Sequence, residues 1–253
     1  MKILLLGASG LVGRNILAQA LAHPGVTRVV APTRRCLGAD PKLTNPVSDD
    51  LQLLASGEIA QGIDGVISAL GTTLSKAGSK QAFREVDYVL PLMFAQSAHQ
   101  RGVETFVLVS ASVASVRSAI FYSRIKGEVE REIKLVGFRS LTIVRPSLID
   151  GERDEPRFRE SIALRLMSML APILPKKFHV NPASTIAAAC LNAVMKAQPV
   201  SIYVYRKVWS WIDTGRSAYR HRCPQVAPTA FFVTYRPVLK KERNLSRRRL
   251  IRS

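Results

Sequence analysis

The chain opens on a short unbroken apolar run, Ile3-Leu4-Leu5-Leu6, that ends directly in glycine. A run apolar at successive rather than alternate positions suits a strand buried on both faces of a parallel sheet. Leu11 to Ala22 then shows helical spacing and stops at His23-Pro24-Gly25. A second strand is expected at Arg28-Val29-Val30-Ala31, followed by a loop rich in Pro, Thr and Asp to about residue 50 and a helical stretch near 50–60. Gly65 to Leu70 reads as another buried strand. The segment Lys80 to Arg101 places Phe83, Val86, Val89, Leu90, Met93, Phe94 and Ala98 on one helical face and closes at Gly102. Thr105 to Val109 follows as a strand, Ser123 to Leu135 as a charged amphipathic helix, and Ser140 to Val144 as a further strand. Alternating strands and helices predict an α/β fold, a doubly wound parallel sheet of five or six strands.

Beyond Arg145-Pro146 the alternation fades. A helix over about 159–171, a Pro-marked loop and a helix from about Ser184 to Lys196 are read as a small C-terminal substrate-side cap, beginning at about 151. Within it, Ile162 to Leu174 followed by Lys176-Lys177 fits a cap helix better than a helix lying on a membrane surface. Asp49-Asp50 suits a helix N-cap better than an adenine contact. The 253 residues, 47% of them apolar, suffice for one large core. No apolar run reaches the ~18 residues that span a bilayer, and no cleavable leader is recognised, so a cytoplasmic protein is expected.

Charge alters this picture only at one end. Of the net +19, residues 201–253 contribute +11, with 13 Lys and Arg against 2 Asp and Glu. The chain is accordingly divided into residues 1–200, the α/β domain with its cap, and a basic aromatic tail, 201–253. Ile202-Tyr203-Val204-Tyr205-Arg206-Lys207, Trp209-Ser210-Trp211 and Arg247-Arg248-Arg249 offer aromatics and arginines that could stack on bases and pair with phosphates. No binding motif organises them, so an out-of-frame ending is preferred, then a disordered tail, with nucleic-acid binding last. Cys36, Cys190 and Cys223, and the histidines at 23, 99, 179 and 221, are scattered without disulfide or metal spacing, and no metal is expected.

The chemistry lies in the turns. Gly7-Ala8-Ser9-Gly10-Leu11-Val12-Gly13 follows the first strand and opens the first helix. There, glycines make the tight turn, let the backbone approach a pyrophosphate and let helix and strand pack closely. Arg34-Arg35 follows the second strand, where an NAD-binding fold places an acidic residue for the ribose 2′-hydroxyl. Arginine there complements a 2′-phosphate, so NADP(H) is expected over NAD(H). Tyr122 and Lys126, four residues apart, share one helical face, and an ammonium beside a phenol favours the phenolate a general acid/base needs. Ser110 and Ser112 end the strand just upstream, within reach of a substrate oxygen.

With Leu70-Gly71-Thr72-Thr73, Lys76-Ala77-Gly78, Phe83, Val86-Asp87-Tyr88-Val89-Leu90, Tyr122, Lys126-Gly127-Glu128-Val129-Glu130 and Arg145-Pro146, these residues resemble the atypical short-chain dehydrogenase/reductase superfamily, specifically its Tat-interacting-protein-like oxidoreductases. The likeness runs over roughly residues 1 to 198 and implies a Rossmann-type fold. It implies that Gly7, Gly10 and Gly13 contact the diphosphate, and that Ser9, Leu11 and Val12 of the same turn also bind the cofactor. Arg34 and Arg35 would take the adenosine phosphate, and Leu70, Gly71 and Thr72 the nicotinamide side. Tyr122 would be the acid/base and Lys126 would bind the nicotinamide ribose. One position departs from the pattern. Relatives carry Ser-Ser at the end of the fifth strand, whereas here the sequence is Ser110-Ala111-Ser112, so the usual partner of the tyrosine falls on alanine and either serine could replace it.

The expected activity is NADP(H)-dependent oxidation or reduction of a small carbonyl or alcohol substrate. The alternatives are a non-catalytic NADPH-binding regulator of a protein partner, and an epimerase or dehydratase with tightly held cofactor.

Overall fold

In the first strand, successive side chains leave on opposite sides, and the structure uses both. Ile3 and Leu5 pack on one face of a sheet, Leu4 and Leu6 on the other, and all four are at most 1% exposed. The structure, a computed structural model, describes residues 1–150, 180–197 and 201–204. The strands are β1 (Lys2–Leu6), β2 (Arg28–Val30), β3 (Leu43–Thr44), β4 (Gly65–Ser68), β5 (Thr105–Val109), β6 (Ser140–Arg145), β7 (Leu148–Asp150), β8 (Val180–Pro182) and β9 (Ser201–Val204). The helices are α1 (Leu11–Ala22), α2 (Leu51–Ser56), α3 (Leu74–Ala77), α4 (Lys80–Arg84), α5 (Leu90–Gln100), α6 (Phe121–Val136) and α7 (Ala183–Lys196), with a π-helical turn at Glu85–Val89.

Seven strands form one sheet in the order β3-β2-β1-β4-β5-β6-β9, every pair parallel, and β7 and β8 pair separately. This is the doubly wound Rossmann order, whose direction of winding reverses between β1 and β4. Helices α1 and α7 cover one face, burying Ile16, Ala20, Ile186, Ala187 and Cys190 against Ile3, Leu5, Val29, Ile67, Val107 and Val144. Helices α5 and α6 cover the other, with Phe94, Ala98, Val129 and Ile133 against Leu4, Leu6, Val66, Phe106, Leu141 and Ile143.

Three details differ from the sequence reading. The loop expected up to residue 50 contains the two-residue strand β3, too short to carry a period. The single helix expected over Lys80 to Arg101 is α4 and α5 joined by the π-helical turn, in which the Leu90 N–H returns to the Glu85 carbonyl. Pro91 explains it: proline has no N–H for the helical ladder and its ring crowds the carbonyl one turn back, so the preceding turn widens. The boundary drawn at 200 is corrected as well. Ser201–Val204, assigned to the tail on composition, pair with Thr142–Arg145 and extend the sheet. The helix expected over 159–171, the apolar segment Ile162 to Leu174 and the sequence from 205 onward lie outside the described residues.

Candidate functional site

The turns at the carboxyl ends of β1, β2, β4 and β5 converge beside the point where the winding reverses, the usual position for a ligand in such sheets. After β1, Gly7 has φ +80°, the left-handed region, and a side chain on it would strike the Ala69 carbonyl oxygen at 2.6 Å. A Cβ on Gly13 would lie 1.9 Å from the Gly7 carbonyl oxygen, so only glycine lets α1 meet the turn that close. The first turn of α1 holds no acidic residue, and its N-cap, Gly10, offers no side chain to the first N–H groups. Unsatisfied donors and the positive end of a helix dipole make this end fit the diphosphate of a dinucleotide.

Beyond β2, Arg34 and Arg35 are exposed, and neither guanidinium has an ion-pair partner among the described residues. Their loop is fastened from behind. Asn45 donates to the Ala31 carbonyl at 2.6 Å and to the Thr33 hydroxyl at 2.7 Å, and accepts from the Leu37 N–H at 2.8 Å, while Thr33 donates to the Arg35 carbonyl at 2.6 Å.

After β4, Leu70-Gly71-Thr72 runs over a buried ion pair. Asp87, in the π-helical turn, accepts the Thr72 N–H at 2.8 Å through Oδ2 and meets Lys126 Nζ at 2.7 Å through Oδ1. Both side chains are buried, at 0% and 6% exposure. Burial is the largest influence on the Lys126 ammonium and works to lower its pKa. Asp87, Tyr122 and Glu130 together outweigh it and hold the group above the ordinary 10.5. Tyr122 is one helical turn away in α6, half-buried, its ring edge-on to buried Phe83 at 5.9 Å. The Thr73 and Ser79 hydroxyls cap α3 and α4, and Asp50 caps α2.

The two serines after β5 differ. Ser110 is buried and donates to Glu130 Oε1 at 2.5 Å, and the same carboxylate takes two hydrogen bonds from Arg145, the Nε contact at 2.9 Å. Ser112 is half-buried, its N–H on the Pro146 carbonyl at 2.9 Å, and its hydroxyl has no partner among the described residues. The residues picked out in the sequence therefore lie at the carboxyl end of the sheet, but Ser110 is already engaged. Asn45 was not picked out, and Asp87 and Glu130 were named only among the residues that carry the resemblance, with no role at the site. Asp87 and Glu130 sit at helical spacing from buried apolar neighbours, Phe83 and Leu90 for one, Ile133 for the other, and an acid on such a stripe demands a buried partner.

Residues 3–118 match the model of the NAD dependent epimerase/dehydratase family. The protein fmp52-1, mitochondrial, of Aspergillus terreus is 38% identical over 204 residues, 78% of this chain and 88% of that protein. The chain belongs to the short-chain dehydrogenase/reductase superfamily, among the fmp52 proteins. The fmp52 protein of Candida albicans is 34% identical over 160 residues, 61% of this chain and 70% of that one. Among solved structures, the Bordetella bronchiseptica enzyme WbmH in complex with NAD+ superposes with a TM-score of 0.61 at 17% identity, covering 81% of this chain and 74% of that one. The UDP-N-acetylglucosamine 4-epimerase of Bacillus cereus does so at 0.58 and 15%, covering 81% and 77%. At such identities the likeness shows the fold. The chain thus has the NAD(P)-binding fold of short-chain dehydrogenase-type oxidoreductases. The cytoplasmic expectation is overturned, because these fmp52 relatives are named as mitochondrial proteins. That no helix among the described residues is long and apolar enough to cross a membrane bears on spanning a bilayer, not on compartment.

Proposed function

We propose that the protein exchanges a hydride between NADP(H) and a small carbonyl or alcohol substrate, in the mitochondrion by analogy with its relatives. The observation that carries this reading is the position of Tyr122 and Lys126 on one face of α6, with Lys126 held as a buried cation beside the turn after β4. The cofactor supplies or accepts the hydride. Tyr122 gives or takes the proton at the substrate oxygen, with the Lys126 charge favouring the phenolate. Ser112, rather than Ser110, offers its hydroxyl to the same oxygen, because Ser110 has committed its proton to Glu130. Arg34 and Arg35, exposed and free of ion pairs among the described residues, take the 2′-phosphate. The engaged Ser110 also favours a second reading, an NADPH-binding regulator without turnover, since the usual serine partner of the tyrosine is missing.

Calorimetric titration with NADPH and NADH tests the cofactor. Wild type should bind NADPH more than tenfold tighter, and Arg34→Ala/Arg35→Ala should erase the difference, because a charge-assisted contact is worth about 1.5–3 kcal/mol. Equal affinities in wild type overturn the assignment. A carbonyl-substrate screen followed by NADPH absorbance separates enzyme from regulator. Tyr122→Phe should lower turnover by ~10²–10⁴ with cofactor affinity intact, and full activity in that variant refutes the role of Tyr122.

A further inference from the structure

Asp87 stands where a charge is costly, on the buried stripe between Phe83 and Leu90, 1% exposed. The π-helical turn presents it there, and irregular turns of this kind often re-aim one side chain at a functional site. Its two oxygens serve two different elements: Oδ2 holds the Thr72 N–H after β4, and Oδ1 holds Lys126 on α6. The pair also lies under an opening. Gly71 is exposed, and a Cβ built on it would sit 3.7 Å from both Asp87 Oδ1 and Lys126 Nζ, so residue 71 lies directly over the buried pair and puts no side chain between it and the outside. An ion pair serving only to hold the π-helical turn against α6 would not require the residue above it to lack a side chain.

We infer that Asp87 is a positioning residue that ties the Leu70–Thr72 loop to Lys126 and keeps that lysine a cation, with Gly71 as the opening through which the cofactor reaches it. The inference rests on the hydride-transfer reading of the site. Among the described residues, the other charged or titratable groups acting on Lys126 are Tyr122 and Glu130 on its own helix, and Glu130 is shared with Arg145 of β6 and the Ser110 hydroxyl just after β5. Asp87 is therefore, among the described residues, the carboxylate in direct contact with the ammonium.

The test uses ligand-free protein with 13C-labelled lysine, following the Lys126 Cε resonance against pH in wild type and Asp87→Asn. Asparagine keeps an oxygen for the Thr72 N–H but removes the charge, so the Lys126 midpoint should fall by about 1–3 pH units. NADPH affinity, measured by fluorescence titration, should then fall about tenfold for each unit by which the pH exceeds the new midpoint. An unchanged midpoint overturns the inference. A lowered midpoint with NADPH affinity unaltered at every pH overturns instead the placement of the cofactor at Lys126. Should Asp87→Asn fail to fold, Gly71→Ala decides, because its methyl meets only ordinary contact distances. It should keep the melting temperature and the Lys126 midpoint while weakening NADPH at least tenfold, and unaltered NADPH affinity in this variant refutes the opening.

Discussion

Gly127→Ala sets a helix-propensity gain against a packing conflict, and the distances decide the sign. Gly127 lies inside α6, one residue after Lys126, where alanine should favour the helix by about 0.8–1 kcal/mol. Against this, a Cβ there would lie 2.3 Å from both the Ser115 carbonyl carbon and the Val116 nitrogen, and 2.8 Å from the Ser115 Cα. Backbone must therefore retreat by roughly 1 Å to reach ordinary contact. It is poorly placed to do so, because the Ser115 N–H donates to the Ser123 carbonyl at 2.9 Å and the Ser118 N–H to the Ser115 carbonyl at 3.1 Å, which pins the loop to α6. Overpacking costs about 1–3 kcal/mol, and contacts this short against backbone belong to the upper part of that range, about 2–3 kcal/mol. The net is a loss of about 1–2 kcal/mol, or a melting temperature lower by about 2–8 °C for a chain of this size. The same displacement moves Tyr122 and Lys126 against the end of β5, so turnover should fall more than cofactor affinity. Gly38→Ala, with nothing within 4 Å of the added carbon, is the control and should be neutral. Calorimetry on both variants checks the argument, and a Gly127→Ala protein as stable as wild type would refute it.

Two further outcomes are expected. Burial pushes the Cys190 thiol from about 9 up to about 12; a pKa raised on folding gives stability that is complete below 9 and declines as pH rises through that window, by about 2 kcal/mol at pH 10.5. Urea unfolding at pH 8, 9 and 10.5 should show the decline in wild type and a flatter course in Cys190→Ala, and identical slopes would refute the cause; Lys126, raised above 10.5, adds to the loss only beyond that pH. A chain cut after Val204 should bind NADPH as the full chain does, whereas one cut after Val200 should also bind but melt lower, because β6 loses its partner along Thr142–Arg145; loss of NADPH binding in the longer of the two would place part of the site beyond residue 204.

The order of strands and helices was legible because a parallel sheet covered on both faces needs strands apolar at every position, and Leu4-Leu5-Leu6, Val66-Ile67 and Phe106-Val107-Leu108-Val109 are such runs. The elements that escaped the reading are set by backbone pairing or by a single residue. Leu43–Thr44 is a strand through its register with Val29 and Val30, information held in the partner and not in two half-buried residues. Pro91 gave a visible warning inside the expected long helix, but whether a proline kinks, ends or widens a helix depends on the groups packed around it. Ser201–Val204 was hidden by the basic composition of the residues after Val204.

The candidate site was half legible for a related reason. Turn glycines, the arginine pair and the Tyr122-Lys126 spacing announce themselves by position, whereas the groups that hold them are recognisable only once their burial is known. Lys126 and Glu130 are both buried on α6, and each would be costly there alone. The structure divides them between two opposite charges brought from elsewhere: Asp87 from the π-helical turn for the lysine, Arg145 from β6 for the glutamate. The set of two acids and two bases is neutral as a whole, which lets a strongly amphipathic helix bury two charged residues of its inner face. Because the pairs are joined through the field of Glu130 on Lys126, removing Arg145 would leave an unbalanced carboxylate that also competes for the lysine. Ser110, hydrogen-bonded to that carboxylate, is thus part of the arrangement that keeps the cluster in order, and its substitution by alanine should disturb stability before it disturbs proton transfer.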